Sequence, residues 1–332
     1  MEKKNIFGDR ERQLIQIVES GNVAMLRLAL DGGASPLAVP PSGFGLSALM
    51  TAVYLGHEGC VREMISRGSS EERNGHRATT MAIAAQSSSE NAWRCIKALI
   101  DSGSDPLEAT DQGETPLMWS CASNNPLAEE IARNLLAWGG ANKATLDGET
   151  SLMWAVKEED QDWAPALLAA AGADPLMQEN CDGTTALMMA CGRGHHKAAR
   201  AILAAFPESA AAMCAQANFE GVTALMAASD AGSEECARLV LPWSDAMAVD
   251  GAGNAALHSA HDWPVAEMLL AAGANIFQVN NKGKTPAEAL SGTGSSECLR
   301  NLSVRAAVLT EARALAEATG SLAAAKKRPS TL

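Results

Sequence analysis

The chain has 332 residues, 47% of them apolar, 20% charged and only 4% aromatic. Its formal net charge of −13 speaks against nucleic-acid binding, and without the tail that holds Lys326, Lys327 and Arg328 the body is more acidic still. The longest apolar stretches, such as Ala164–Ala171, fall far short of the ~18–20 residues of a membrane span.

The apolar content is mainly Ala, Leu and Met, which are good helix formers and predict an all-α protein. The charged N-terminus, Met1–Gln13, lacks the apolar run of a signal peptide. From Arg10 to Pro36 the sequence ends on the phrase LALDGGASP, an apolar helical pattern closed by Gly-Ala. A second phrase then begins: Gly, any residue, a hydroxyl residue, a small residue or Pro, Leu, Met or His, any residue, a small residue. It recurs as GLSALMTA from Gly45, GETPLMWS from Gly113, GETSLMWA from Gly148, GTTALMMA from Gly183, GVTALMAA from Gly221 and GNAALHSA from Gly253. Weaker copies are GHRATTMA from Gly75 and GKTPAEAL from Gly283. The glycines are spaced by 30, 38, 35, 35, 38, 32 and 30 residues. Between the copies the Gly-Ala phrase returns as LLAWGGAN, LLAAAGADP and LLAAGANI, each glycine closing a helical pattern.

A period near 33 with T-P-L-H-x-A and G-A-D/N phrases resembles the ankyrin family over roughly residues 11 to 300. The resemblance implies an all-α solenoid of helix–turn–helix repeats joined by hairpin-like loops. Residues 1–44 would form an N-terminal capping repeat, 45–282 about seven repeats, 283–320 a C-terminal capping repeat and helix, and 321–332 a disordered basic tail. In GETSLMWA, Thr150 suits the N-cap, Ser151 stands where the family has Pro, and Leu152 and Ala155 share a face. No repeat buries its apolar surface alone, so stacking supplies the core.

Three departures from the family stand out. The family's His is Met in five copies and His only at His258, exchanging a hydrogen bond between neighbours for flexible apolar packing. The copy from Gly75 has Thr79 at the Leu position, which predicts a distorted repeat. The two 38-residue periods imply insertions at Gln86–Trp93 and Pro207–Asn218, expected as loops.

Chemistry finds little footing. The eight cysteines include no CxxC pair, do not form a disulfide framework, and read as reduced thiols in the cytoplasm. Cys60, Cys236 and Cys298 follow Glu-bearing helix starts and Cys121 and Cys191 follow the small residue of the first helix, all interior positions in the family. His195 with Cys191 offers two metal ligands where a structural zinc site needs four, and Gly194-His195 and Gly56-His57 match the family's structural Gly-His turn. No phosphate loop, calcium loop or catalytic triad is present. No catalytic residue, cofactor or metal is expected, and the chain is not expected to be an enzyme.

The resemblance implies a protein partner, with binding at the concave first-helix positions and the loop tips. The former are Tyr54 and Leu55, Ala122 and Ser123, Lys157 and Glu158, Gly192 and Arg193, Asp230 and Ala231, and Asp262 and Trp263. The latter are Asp111, Gln112, Leu146, Asn180, Phe219, Asn281 and Lys282. Trp119 and Trp154 occupy one repeat position, one repeat apart, with Met189 following; packing between first helices is the favoured role, interface anchoring the other. The acidic balance predicts a partner with a basic patch, neither nucleic acid nor membrane, and a chain that is monomeric when unbound. The functions that fit are an adaptor, inhibitor or assembly factor. The alternative is a bacterial-type secreted effector or immunity protein that engages a foreign target with the same solenoid.

Overall fold

A computed structural model of the chain describes residues 3–36, 46–68, 79–123, 126–157, 163–177, 182–291 and 296–325. Among them the regular structure is helical, with hairpin-like loops that make only isolated bridges. Contacts divide the chain into two compact units, residues 1–186 with 201–207, and residues 187–200 with 208–332.

In the first unit helices come in pairs. They are α1 (Lys3–Glu19) with α2 (Val23–Asp31), α3 (Ala48–Tyr54) with α4 (Glu58–Ser66), α5 (Thr80–Gln86) with α6 (Ala92–Asp101), α7 (Pro116–Cys121) with α8 (Ala128–Leu136), and α9 (Ser151–Ala155) with α10 (Trp163–Ala170). First helices stack in the order α1, α3, α5, α7, α9, and second helices pack alongside, α2 on α4 and α4 on α6. The division between the units falls in the next pair, α11 (Ala186–Gly192) and α12 (His196–Ala205). The second unit continues with α13 (Ala210–Ala215), α14 (Ala224–Asp230) with α15 (Glu234–Val240), a single 3₁₀ turn (Ala256–His258) with α16 (Trp263–Ala271), and α17 (Pro286–Ala289) with α18 (Ser296–Ala325).

Most of these helices have five to ten residues, too short to persist alone in water. Their starts are fixed locally. Ser47, Thr115, Thr150, Thr223 and Thr285 each accept, through the side-chain oxygen, the N–H three residues on. Burial does the rest: in α3 the side chains of Ala48, Leu49, Met50, Ala52 and Val53 are wholly enclosed, and in α8 Ile131, Ala132 and Leu135. Each large one is worth about 1.5–3 kcal/mol relative to exposure.

The loops are tied to one another by backbone bonds in a single register. Leu146 N–H donates to the Gln112 carbonyl (2.8 Å), Gly251 N–H to that of Glu220 (2.7 Å) and Asn281 N–H to that of Ala252 (3.0 Å).

Three expectations need correction or refinement. The third repeat is in register, not distorted there: Thr79, not Gly75, sets its frame, because Thr79 caps α5 by accepting from Ala82 N–H (3.1 Å). Thr79-Thr80-Met81-Ala82 therefore stands where the next repeat has Thr115-Pro116-Leu117-Met118, and Met81 fills the Leu site, 2% exposed. Replacing Thr79 with alanine is expected to cost about 1 kcal/mol in urea denaturation, as a lost cap does; a change near zero would return Thr79 to the loop. The insertion at Pro207–Asn218 is not a loop but a 3₁₀ turn (Pro207–Ser209) and α13, whose Met213 and Cys214 are buried. The N-terminal segment forms both helices of a pair, since α1 packs on α3 as a first helix does.

Methionine also keeps part of the histidine's role. The sulfurs of Met118 and Met153 accept from the N–H groups of Thr115 (3.3 Å) and Thr150 (3.4 Å), as His258 Nδ1 accepts from Ala255 N–H (3.1 Å). His258 Nε2 also lies 3.3 Å from the Lys284 carbonyl in the next repeat, a contact for which a thioether has no second polar atom.

At the C-terminal side Cys298 and Leu302 of α18 are buried, while Val304, Val308 and Leu315 are exposed. The helix runs through Ala325; the basic residues from Lys326 lie outside the described residues.

Candidate protein-binding surfaces

In the first unit, two tryptophans occupy equivalent places on neighbouring first helices. Trp119 of α7 and Trp154 of α9 meet edge to face, ring centroids 4.9 Å apart at 74°. Trp154 is 6% exposed. Its Nε1–H donates to Glu149 Oε2 (2.9 Å), and Lys157 Nζ donates to the same oxygen (2.7 Å) while standing 4.5 Å from the Trp154 ring centroid. Trp119 is half-buried and its enclosed Nε1–H has no acceptor among the described residues. Trp154 is thus a packed residue with no face to offer a partner, and Lys157 is engaged within the protein rather than free. Glu158, and with it the acidic run to Asp162, lies outside the described residues, as does Asn180. Tyr54 and Leu55, at the end of α3, are exposed (48% and 38%), Ser123 is half-buried, and Leu146 projects from its loop, 66% exposed.

In the second unit a cavity of about 330 Å³ opens between the first helices and their loops. Its apolar lining is Val222, Met226, Ala227 and Ala255, and Asp230 and Asp250 give it acidic edges. The two carboxylates are differently employed. Asp250 is held within its own loop, accepting from the N–H groups of Ala252 and Asn254 (both 2.8 Å). The Asp230 side chain is 74% exposed and faces His261 Nε2 at 3.6 Å. Arg193 is exposed, and so is Phe219 (69%) at its loop tip.

Asp262 and Trp263 sit elsewhere than counting along the repeat suggests. The first helix of their repeat is shortened to a single 3₁₀ turn, so Asp262 is the N-cap residue of α16 and Trp263 its first residue, half-buried. In the preceding repeat Ser233 caps the second helix three places later in the frame. Sequence reasoning also missed Val249 and Val279, 47% and 57% exposed on successive loops. Each stands four residues before its loop glycine, Gly253 or Gly283, a spacing that would have found them.

The thiols are placed as core. Cys60, Cys121, Cys191, Cys236 and Cys298 are all buried, and so are Cys95 and Cys214. Burial pushes the Cys95 and Cys121 thiols up to about 12 and those of Cys214 and Cys298 up to about 11, far from the thiolate that nucleophilic chemistry needs. Cys181 lies outside the described residues. His57 precedes α4 as its cap residue, with Nε2 3.2 Å from the Glu19 carbonyl, a turn-holding contact. No group of three metal-ligating side chains converges among the described residues, and no helix among them is long and apolar enough to cross a membrane.

The family model for ankyrin repeats matches residues 81–179 and 166–250, together just over half of the chain. No curated protein matches the chain. Ankyrin repeats are generally protein–protein interaction modules and typically not enzymes. With capped short helix pairs, stacked first helices and loops bonded in one register, the chain belongs to the ankyrin-repeat family and has its all-α solenoid fold.

Proposed function

We propose that the chain is a non-catalytic binding module of the cytoplasm, an adaptor, inhibitor or assembly factor, monomeric until it meets a partner protein. The partner presents a basic side chain or segment to the cavity edged by Asp230 and Asp250 in the second unit. The observation that carries this reading is the exposed, loosely held Asp230 carboxylate beside an apolar hollow. An apolar floor with a charge at its edge takes the stem of a lysine or arginine and pairs its head. The exposed tip Phe219 and the exposed loop residues Val249 and Val279 supply apolar contact nearby in sequence frame, and aromatic tips are frequent anchors. The chain's net charge of −13 favours a basic partner over a long range as well.

The test is capture of partners from native extract with the intact protein and with Asp230→Lys. The substitution is expected to leave the denaturation midpoint almost unchanged, within about 0.5 kcal/mol for an exposed site. It should weaken partner binding about tenfold, or ~1.4 kcal/mol, with the loss shrinking as salt is raised. Equal binding by both proteins would remove the acidic edge from the interface, and Phe219→Ala would then report on the loop tips.

A further inference from the structure

The ends of the second helices in the first unit repeat one arrangement, and one step of it lacks a member. Each of α2, α4, α6 and α8 is followed by a glycine with a left-handed backbone: Gly33, Gly68, Gly103 and Gly139. Counted from those glycines, Asp31 and Asp101 hold the same place, two residues before, and Arg67 and Trp138 the same place, one residue before. The backbone agrees: Arg67 and Trp138 each donate the N–H to the carbonyl three residues back, and Gly68 and Gly139 do likewise. Between α2 and α4 the pair is closed, with Arg67 Nη1 2.7 Å from Asp31 Oδ1. At α6 and α8 the aspartate recurs as Asp101, and an indole stands in the place of the guanidinium.

The close stacking of α2 on α4 and of α4 on α6 gives way there to a cleft of about 480 Å³ between α6 and α8. Asp101 and Trp138 both line it, with Ile100 and Ala137 beside them and Lys97 one turn back on α6. Trp138 is 53% exposed. Asp101 is exposed, and among the described residues its carboxylate has no ion pair or hydrogen bond. The arginines of the flanking helices are engaged elsewhere, Arg62 of α4 with Glu58 (2.8 Å) and Arg133 of α8 with Glu129 (2.6 Å). An acid that closes a helix is unfavourable, because the carbonyl end of the helix dipole is negative, and α6 has no basic residue in its last turn. This end of the cleft therefore combines a carboxylate, two helix carbonyl ends and an exposed indole, all of which favour a cation. A guanidinium suits it best, since its planar fork pairs with a carboxylate while its face stacks on an aromatic ring.

We propose that this end of the cleft is a docking site for an arginine of a partner protein, whose guanidinium pairs with Asp101 and lies on Trp138, as Arg67 pairs with Asp31 within the chain. The site belongs to the first unit and its test does not involve Asp230, so this reading and the one built on Asp230 stand or fall separately.

The probe is the blocked peptide acetyl-Ala-Arg-Ala-amide, titrated at low salt into the full-length protein labelled with heavy nitrogen and followed by nuclear magnetic resonance. The expected result is a saturable shift of the Trp138 indole N–H and the Ser102 amide, with none for the same peptide carrying citrulline, the neutral isostere of arginine. Asp101→Asn should weaken binding roughly threefold to fivefold, as loss of an exposed ion pair does, and the difference should fade in high salt. Trp138→Arg, which restores the cation present at Arg67, should take up no peptide, read at the Ser102 amide. Equal shifts with citrulline, or native-like binding by Asp101→Asn, would overturn the proposal. So would free arginine binding more tightly than the blocked peptide, since the site would then serve a small molecule. A Trp138 indole that does not move, whatever shifts appear elsewhere on the acidic surface, would do the same. Both substitutions are at exposed positions, so the titrations report on folded protein.

Discussion

Replacing Trp154 with alanine is expected to cost the protein about 3–5 kcal/mol, the loss typical of a buried large aromatic, while Trp119→Phe should change stability by less than about 1 kcal/mol. The two indoles share a repeat position and touch, but their surroundings differ. Trp154 is 6% exposed, its N–H is satisfied by Glu149 and its ring carries the Lys157 ammonium. Removing it opens a cavity, ends the edge-to-face pair and releases both charged partners from an ordered arrangement. Trp119 offers its N–H to nothing among the described residues. Phenylalanine there keeps most of the ring and the pairing with Trp154 and discards a buried donor that costs about 1–3 kcal/mol when unmet, offsetting the packing lost. Trp154→Phe falls between, losing a hydrogen bond to a charged group worth about 1.5–3 kcal/mol but little area. Urea denaturation followed by far-ultraviolet circular dichroism, which does not depend on the tryptophan signal, gives the order. If Trp119→Phe proves as damaging as Trp154→Ala, the ring pair carries a packing role that burial alone does not account for. If Trp119→Phe leaves stability intact yet abolishes partner capture, that half-buried ring is an interface anchor after all.

The same contrast shows which features were legible in the sequence. The repeat phrase works because the residues it names have obligatory local roles: a hydroxyl cap, an apolar residue two places on, a small residue where helices meet. Those roles survive into the structure at Thr115, Leu117 and Ser120 and at their equivalents. Glycine is a poorer marker of the frame than the cap: at Gly75 it misplaces the repeat, and the cap hydroxyl of Thr79 is the residue that fixes the start of α5. Counting from the glycine fails again at Asp262, where the first helix is shortened and the second begins sooner. Pairings over distance left no trace in the sequence. Lys143 and Leu107 stand 36 residues apart in the chain, and nothing in the local pattern at either says that the ammonium of one donates to the carbonyl of the other (3.0 Å). The cavity edged by Asp230 and Asp250 is likewise a product of stacking: the first carboxylate closes a helix and the second turns a loop, and only the register between repeats sets them around one hollow.

That register makes the loop glycines the other sensitive points. Gly253→Ala is expected to destabilise the protein by about 3–4 kcal/mol, against about 1–2 kcal/mol for Gly273→Ala. Both residues have a left-handed backbone, φ +78° and +96°, where a Cβ costs roughly 1–2 kcal/mol. Both gain the same small advantage from a stiffer unfolded chain, so that effect cancels in the comparison. They differ in what the new methyl meets. At Gly273 there is nothing within 4 Å, whereas at Gly253 the methyl would lie 2.8 Å from the backbone nitrogen of Asn281 and 2.6 Å from its Oδ1. Asn281 cannot yield without loss, because its N–H donates to the Ala252 carbonyl (3.0 Å) and its Nδ2 to that of Gly251 (3.1 Å). Those two bonds hold one loop to the next and are worth about 1 kcal/mol each. The comparison is made by urea denaturation of the two variants at one protein concentration, with hydrogen exchange at the Asn281 amide as the local readout. Faster exchange there in Gly253→Ala, unchanged in Gly273→Ala, is the expected pattern. Equal losses of stability with Asn281 still protected would mean that backbone strain alone sets the cost and that the loops are not held together by the Asn281 contacts.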